Sequence, residues 1–189
     1  KDDTIGDAFK YFVVILTIFA VIISILLGVA FSLFAAMLGM LGVPMMTLGA
    51  AMGPLFAVVF FILTLVSGII GVFIGGLWLH IWVYLLGGRE GVEQTIKALM
   101  YGVTPGYLLG WIPIVGIIGG IWSLIVEIIG IRQLHELSTG KAVLAVIIAI
   151  AIPLIIYAVI IAAFIATMPG PGLGPGPGLG PGPGHMIRP

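Results

Sequence analysis

Residues 11–34 read YFVVILTIFAVIISILLGVAFSLF, an apolar run without a charged residue. A helix of this length spans about 36 Å, which is enough to cross a hydrocarbon core of about 30 Å. The run is longer than the apolar core of a signal peptide, about 7–15 residues, and no Ala-x-Ala cleavage site follows it. We therefore expect a first membrane-spanning helix from Tyr11 to about Phe34.

The composition extends this expectation to the whole chain. Of the 189 residues 61% are hydrophobic and only 7% are charged, and the mean hydropathy is +1.35. A soluble domain carries about 25% charged residues, so most of this surface is expected to face the lipid bilayer. The 7 basic residues balance the 7 acidic ones without a basic cluster, which excludes nucleic acid as a partner. The chain has Cys 0, which excludes disulfides and thiolate metal sites.

Four further spans are expected. The charge-free stretch from Gly39 to Gly88 is broken over Gly39–Pro54 by closely spaced glycines and prolines, so a helix is predicted only after Pro54. A third span is short and interrupted at Pro105-Gly106, and Thr139 is predicted to cap the last one. The predicted bounds are Leu55–Leu86, Thr95–Trp111, Pro113–Leu134 and Lys141–Met168, the last with Pro153 inside.

The distribution of basic residues orients these spans. With five spans, Arg188 is the only basic residue on one side of the membrane. The other side holds Lys1, Lys10, Arg89, Lys97, Arg132 and Lys141. The positive-inside rule then places the N-terminus in the cytoplasm and the C-terminal tail outside, in a cell membrane. A sixth span would break this pattern. We predict an all-α, polytopic transmembrane helical bundle with five spans over residues 1–168, followed by a Pro/Gly-rich tail, residues 169–189.

Two apolar segments lie on the predicted outer side. The loop Gly39–Pro54 carries no charge but holds Met40, Met45, Met46 and Met52. The tail repeats Pro-Gly and carries Leu173 and Leu179, which share a face in a polyproline II conformation. Methionine-rich surfaces adapt to varied partners. We expect these residues to make partner contacts, and the chain to form a homo-oligomer or part of a larger membrane assembly.

Two polar residues are predicted at matching depth in the membrane. His80 lies seven residues before Gly87, and Glu127 lies five before Arg132. At 1.5 Å per residue both are about 8–10 Å inside the cytoplasmic boundary. One interpretation is an intramembrane polar pair that joins helices two and four structurally. The other is a proton or cation relay.

Catalytic and metal-binding motifs are incomplete. Thr139-Gly140-Lys141 ends like a phosphate-binding loop, but Ala142 replaces the residue that holds magnesium. His135-Glu136 begins a zinc-protease pattern that lacks its second histidine. His80, His135 and His185 fall in a span, an inner loop and the outer tail, so we expect them not to converge. We predict no catalytic residue, no metal site and no cofactor.

The segment from Gly87 to Ala142 resembles the Yip family of membrane proteins, named for interaction with Ypt GTPases. The resemblance rests on Gly87-Gly88, Tyr101, Pro105, Pro113, Gly130 with His135, Ser138–Ala142 and the Asp7–Lys10 lead, and it covers roughly residues 7 to 166. It implies a five-span bundle with a cytoplasmic N-terminus, closest to the compact prokaryotic members. Trafficking members of the family have a long cytoplasmic N-terminal region that this sequence lacks, so GTPase binding is not expected.

Two functions follow as hypotheses. The first is a non-enzymatic membrane scaffold or assembly protein that contacts partners through its outer loop and tail. The alternative is a small oligomeric channel or transporter that uses Glu127 and His80. A polar array at the midplane would favour transport, whereas apolar contact surfaces favour assembly.

Overall fold

The computed structural model describes residues 3–43 and 49–168, and these residues form helices without any strand. Four of the helices are long and apolar enough to cross a membrane: α1, α2, α5 and α6. The fold class is therefore confirmed as a helical membrane bundle, while the count of five spans stays a prediction. The helices are α1 (Ile5–Met40), α2 (Gly53–Leu85), α3 (Val92–Gly102), α4 (Thr104–Leu109), α5 (Val115–Leu134) and α6 (Thr139–Thr167).

The first helix begins six residues before the predicted start at Tyr11 because a capping box precedes it. The Thr4 hydroxyl accepts a hydrogen bond from the Asp7 backbone at 3.2 Å, and the Asp7 carboxylate accepts one from the Thr4 backbone at 3.4 Å. These contacts satisfy two donors that a helix start otherwise leaves unpaired. At the other end α1 continues to Met40, six residues past the predicted end at Phe34.

Small residues bring α1 and α2 into close contact. A β-carbon at Gly28 would lie 2.7 Å from the β-carbon of Ala57, and one at Gly53 would overlap the Ser32 side chain. Nearer the charged residues, Leu16 packs directly over Gly68. Since lipid tails are as apolar as the helix surfaces, such close approach contributes dispersion energy that a looser contact would lose.

The third predicted span forms two short helices in place of one. Only Val103 separates α3 from α4, and Pro105 lies in the first turn of α4. Proline has no N–H to continue the hydrogen-bond ladder, so the helix breaks two residues before it. Together the two helices cover residues 92–109, and the chain before Thr95, predicted as a loop, is already helical from Val92.

The last two long helices differ from prediction at their starts. The turn before α5 continues past Pro113 to Ile114, which has a positive φ of 69°, and α5 begins at Val115. Thr139 is the first residue of α6 and so is not its cap, and α6 continues through Pro153. The described residues up to Ala151 form one compact unit, and the described part of a second unit, residues 152–168, is the remainder of α6.

Two groups of buried side chains form the core of the first unit. One surrounds Phe12, Leu16 and Met100, and the other surrounds Val83, Ile131 and Val146. The predictions for Met45, Met46, Leu173 and Leu179 lie outside the described residues. The same holds for the tail as a whole.

Candidate functional site

A chain of hydrogen bonds joins two histidines through a threonine at the end of the bundle where the charged residues lie. Nδ1 of His80 lies 2.8 Å from the Thr95 hydroxyl, and that hydroxyl lies 2.8 Å from Nε2 of His135. The imidazole ring centres are 5.9 Å apart. The three residues come from α2, α3 and the C-terminal end of α5, so this group, called here the histidine-threonine cluster, connects three elements.

The turn between α2 and α3 creates this arrangement. Gly87 and Gly91 have φ values of +106° and +86°, which only glycine adopts without strain. They reverse the chain so that α3 runs back beside α2. Gly88 lies between them against the His135 ring, and a β-carbon there would lie 3.0 Å from Nδ1. The glycines thus place Thr95 between the two histidines.

The hydroxyl of Thr95 can donate only one hydrogen. It therefore donates to one imidazole nitrogen and accepts from the other, which must carry a proton. Both rings can be neutral in this arrangement, because each then has one donor and one acceptor nitrogen. Both hydrogen bonds to the Thr95 hydroxyl can therefore form while the two imidazole rings are neutral.

His135 is held in the neutral form. Its side chain is buried, and Nδ1 has no hydrogen-bond partner among the described residues. Burial, together with the charge of His80, lowers the pKa of His135 to about 4. Burial disfavours the charged form of the ring, which explains the direction of the shift.

This arrangement corrects one expectation from the sequence. We expected His80 and His135 not to converge, and that prediction is wrong because α3 folds back and lets Thr95 bridge them. His185 lies outside the described residues. A repeated pattern could not have revealed the cluster, since its members are separated by 15 and 40 residues along the chain.

Glu127 lies on α5 where that helix packs against α3. Its backbone and β-carbon pack against Gly102 of α3, where a β-carbon would lie 2.9 Å from that of Glu127. In the described part of the chain, the Glu127 side chain makes no hydrogen bond or ion pair, and Nδ1 of His80 bonds to Thr95. The pairing of His80 with Glu127 stays a prediction.

The charged residues at this end of the bundle contact each other and the chain start. Lys97 is 4% exposed, and its ammonium group donates to the backbone oxygen of Asp3 at 2.9 Å and lies 3.7 Å from Glu93. Tyr101 donates to the Asp3 carboxylate at 3.2 Å. The Arg89 guanidinium lies 4.2 Å from the centre of the Tyr84 ring. The two contacts with Asp3 fix α3 against the residues just before α1.

One cavity of the first unit is lined by neither member of the predicted intramembrane polar pair. This cavity of about 450 Å³ lies between α1, α2 and α4 and is lined mainly by apolar side chains such as Phe12, Leu16 and Phe19. Neither His80 nor Glu127 lines it. Within the described ranges, no group of three histidine, cysteine, aspartate or glutamate side chains is placed to hold a metal ion.

The apolar turn after α1 is exposed. Met40 is 89% exposed and Leu41 is 73% exposed, while Met52 at the start of α2 is 51% exposed. These residues flank the undescribed segment 44–48. The two described members of the predicted partner surface, Met40 and Met52, are thus accessible within this chain.

Comparison with known proteins places the chain in a family. Residues 11–163 match the family model of the Yip1 domain, a segment that reaches from α1 into α6. No curated protein and no solved structure matches the chain.

Proposed function

This chain belongs to the Yip1-domain family, and we propose that within it the protein is a non-enzymatic membrane scaffold or assembly protein. Family membership and the apolar helices make it a multi-pass membrane protein. The resemblance noted from Gly87-Gly88 through Ala142 is thereby confirmed. The specific role and the partner contacts are our proposal.

The observation that carries the proposal is the length of α1 beyond its last charge. From Tyr11 to Met40 the helix has no charged residue and extends about 45 Å. The hydrocarbon core is about 30 Å thick, and a tilt of about 20° shortens the helix by only a few Å. The exposed Met40 and Leu41 therefore reach the headgroup layer, where apolar surface is costly unless another surface covers it.

A polar substitution at this end tests the proposal. Met40→Gln combined with Leu41→Gln should weaken assembly, because the covered surface would lose its apolar side chains. Native mass spectrometry from a mild detergent should show a smaller complex. The matched control is Met40→Leu with Leu41→Met, which keeps apolar volume and should keep the mass. An unchanged mass in the glutamine pair would contradict the proposal.

We also propose that the charged end of the bundle faces the cytoplasm in a cell membrane. Lys10, Arg89, Lys97, Arg132 and Lys141 all belong to this end, as the positive-inside rule requires. In this cysteine-free chain, Arg89→Cys and Glu136→Cys should react with impermeant thiol reagents only from the cytoplasmic side. Leu173→Cys should react only from outside. Labelling of Arg89→Cys from outside would contradict this orientation.

A second candidate function, a small oligomeric channel or transporter, is favoured by Glu127, which makes no side-chain hydrogen bond or ion pair within the described ranges. An unpaired carboxylate at membrane depth is expensive unless water or an ion reaches it. In proteoliposomes with a pH gradient, Glu127→Gln should abolish proton flux if this function holds. Native protein with no more flux than empty vesicles would exclude proton conduction.

A further inference from the structure

We propose that the histidine-threonine cluster is a proton-operated latch, in which neutral His80 and His135 hold α3 against α2 and α5 through Thr95, and protonation of His80 releases α3. This inference concerns how the bundle responds to acid. It goes beyond the scaffold role and does not depend on it.

The geometry gives the latch its three attachment points. Both hydrogen bonds to Thr95 are 2.8 Å long, and Thr95 is fully buried. On the same helix Ile96 packs against Gly76 of α2, where a β-carbon would lie 2.6 Å from the Ile96 side chain. Loss of the hydrogen bonds at Thr95 therefore acts one residue away from a close contact between α3 and α2.

Hydrogen counting explains why a proton weakens the cluster. When His80 is protonated, both of its nitrogens donate, and Nδ1 can no longer accept the hydrogen of Thr95. The Thr95 hydroxyl must then donate to Nε2 of His135, which moves the proton of that ring to Nδ1. There it meets no acceptor among the described residues. In the alternative, His135 keeps its proton on Nε2, and the Thr95 oxygen accepts from both rings. The hydroxyl hydrogen of Thr95 then points into a buried environment.

His80 is the member that acid can reach. It is only partly buried, whereas His135 is 4% exposed. A positive charge on His80 also lies across from the His135 ring, with 5.9 Å between ring centres. The first proton therefore goes to His80, and its charge opposes a second proton on His135.

Ionisable groups lie on each of the elements packed around the cluster. Tyr84, the nearest ionisable neighbour on α2, has its ring centre 6.2 Å from that of His80 and is covered by Arg89. On α3, Glu93 and Lys97 interact with each other. The remaining groups include Asp3, Asp7, Lys10 and Tyr11 in or just before α1, Glu90 in the turn, Tyr101 on α3, Glu127, Arg132 and Glu136 on or beside α5, and Lys141 on α6.

Hydrogen-deuterium exchange of the full chain in lipid nanodiscs tests the latch. Amides of residues 94–99 should lose protection by about fivefold between about pH 7.5 and pH 5.5, which is the loss that a coupling of one pKa unit gives at pH 5.5, after correction for intrinsic exchange. Amides of residues 13–20 in α1 serve as the internal reference and should keep their protection. Equal protection of α3 at both pH values would overturn the proposal.

Two variants separate protonation from a merely structural role. His80→Asn places an amide near the position of Nδ1, so it retains a hydrogen bond to Thr95 but does not titrate. Its α3 should stay protected at both pH values. Thr95→Val removes the hydroxyl and should leave α3 equally unprotected at both. An acid-dependent loss in His80→Asn as large as in the native chain would refute the assignment of His80 as the trigger.

Discussion

The indole nitrogen of Trp78 donates a hydrogen bond of 2.8 Å to the backbone carbonyl of Ala149. Ala149 lies four residues before Pro153 in α6, and proline has no N–H to pair with that carbonyl. In a bilayer each unpaired backbone group costs several kcal/mol, since no water is present to satisfy it. Trp78 on α2 therefore supplies the donor that Pro153 removes from α6.

Trp78→Phe should lower the free energy of unfolding by about 1–3 kcal/mol, because the Ala149 carbonyl loses its donor. In a Pro153→Ala background the same change should cost less, since the alanine N–H can pair with that carbonyl. Denaturant titration of all four combinations in detergent measures this coupling. Trp111→Phe is the control, because the Trp111 indole donates to the exposed carbonyl of Leu108, three residues away on the same turn. Strictly additive effects would contradict the explanation.

Gly102→Ala should destabilise the bundle by about 1–3 kcal/mol through overpacking. The added carbon would meet not only the β-carbon of Glu127 but also its α-carbon at 3.1 Å and its nitrogen at 3.3 Å, and backbone cannot yield as a side chain can. Gly71→Ala is the control, since nothing lies within 4 Å of the new carbon there. Thermal unfolding in detergent compares the two, and similar melting temperatures would refute the close contact.

Glu127→Gln should fold as well as the native chain, whereas Glu127→Lys should be strongly destabilised. Glutamine keeps the volume and polarity of a protonated carboxyl, but lysine places a cation among packed α3 and α5 residues. Thermal stability in detergent is the measurement. If both variants lose stability equally, the negative charge itself is required, which would strengthen the relay hypothesis.

The stability of the folded chain should fall as the pH drops from about 6.5 to about 4. The pKa of His135 is about 4 in the folded state and 6.5 ordinarily. Over this interval the unfolded chain binds a proton that the folded chain does not bind, so the loss approaches about 3 kcal/mol and levels off below about pH 4. Unfolding free energies against pH measure it. His135→Gln should reduce the slope in this interval, and an unchanged slope would mean that other groups cause it.

Deletion of residues 169–184 should weaken assembly while leaving membrane insertion intact. Ordering a glycine-rich segment costs about 1–2 kcal/mol per residue, so a few leucine contacts of about 1.5–3 kcal/mol each need a larger surrounding surface. We predict that neighbouring subunits provide it. Size-exclusion chromatography of the deleted chain should show a smaller complex. An unchanged elution volume would reduce the tail to a spacer.

The ends of a span were predictable where charged residues flank it. They were less predictable where local hydrogen bonds determine the first or last residue of the helix. The predicted Leu55–Leu86 differs from α2 by two residues at its start and one at its end, because Arg89 and the Gly87 turn limit the apolar run. The start of α1 was missed although Thr4 and Asp7 have the spacing of a capping box. The break before Pro105 was placed two residues late, since the effect of proline falls on the preceding turn.

The histidine-threonine cluster was beyond sequence reasoning for a physical reason. Position along a helix predicts the depth of a residue, and it placed His80 close to the end of α2. It does not predict rotation about the helix axis or the direction in which the chain leaves the turn. For α3, the positive φ values of Gly87 and Gly91 determine the rotation of the helix and the direction in which it leaves the turn. They bring Thr95 between the two imidazole rings.

The charge-free part of α1 is longer than the hydrocarbon core of a bilayer, and this mismatch should influence how strongly subunits associate. A bilayer core of about 27 Å, as in the endoplasmic reticulum, leaves more of a 45 Å apolar helix uncovered than a sterol-rich core of about 32–33 Å. Each additional Å of mismatch adds a fraction of a kcal/mol that subunit contact can relieve. The same chain should therefore associate more tightly in thin membranes than in thick ones, and membrane thickness would set its oligomeric state without any ligand.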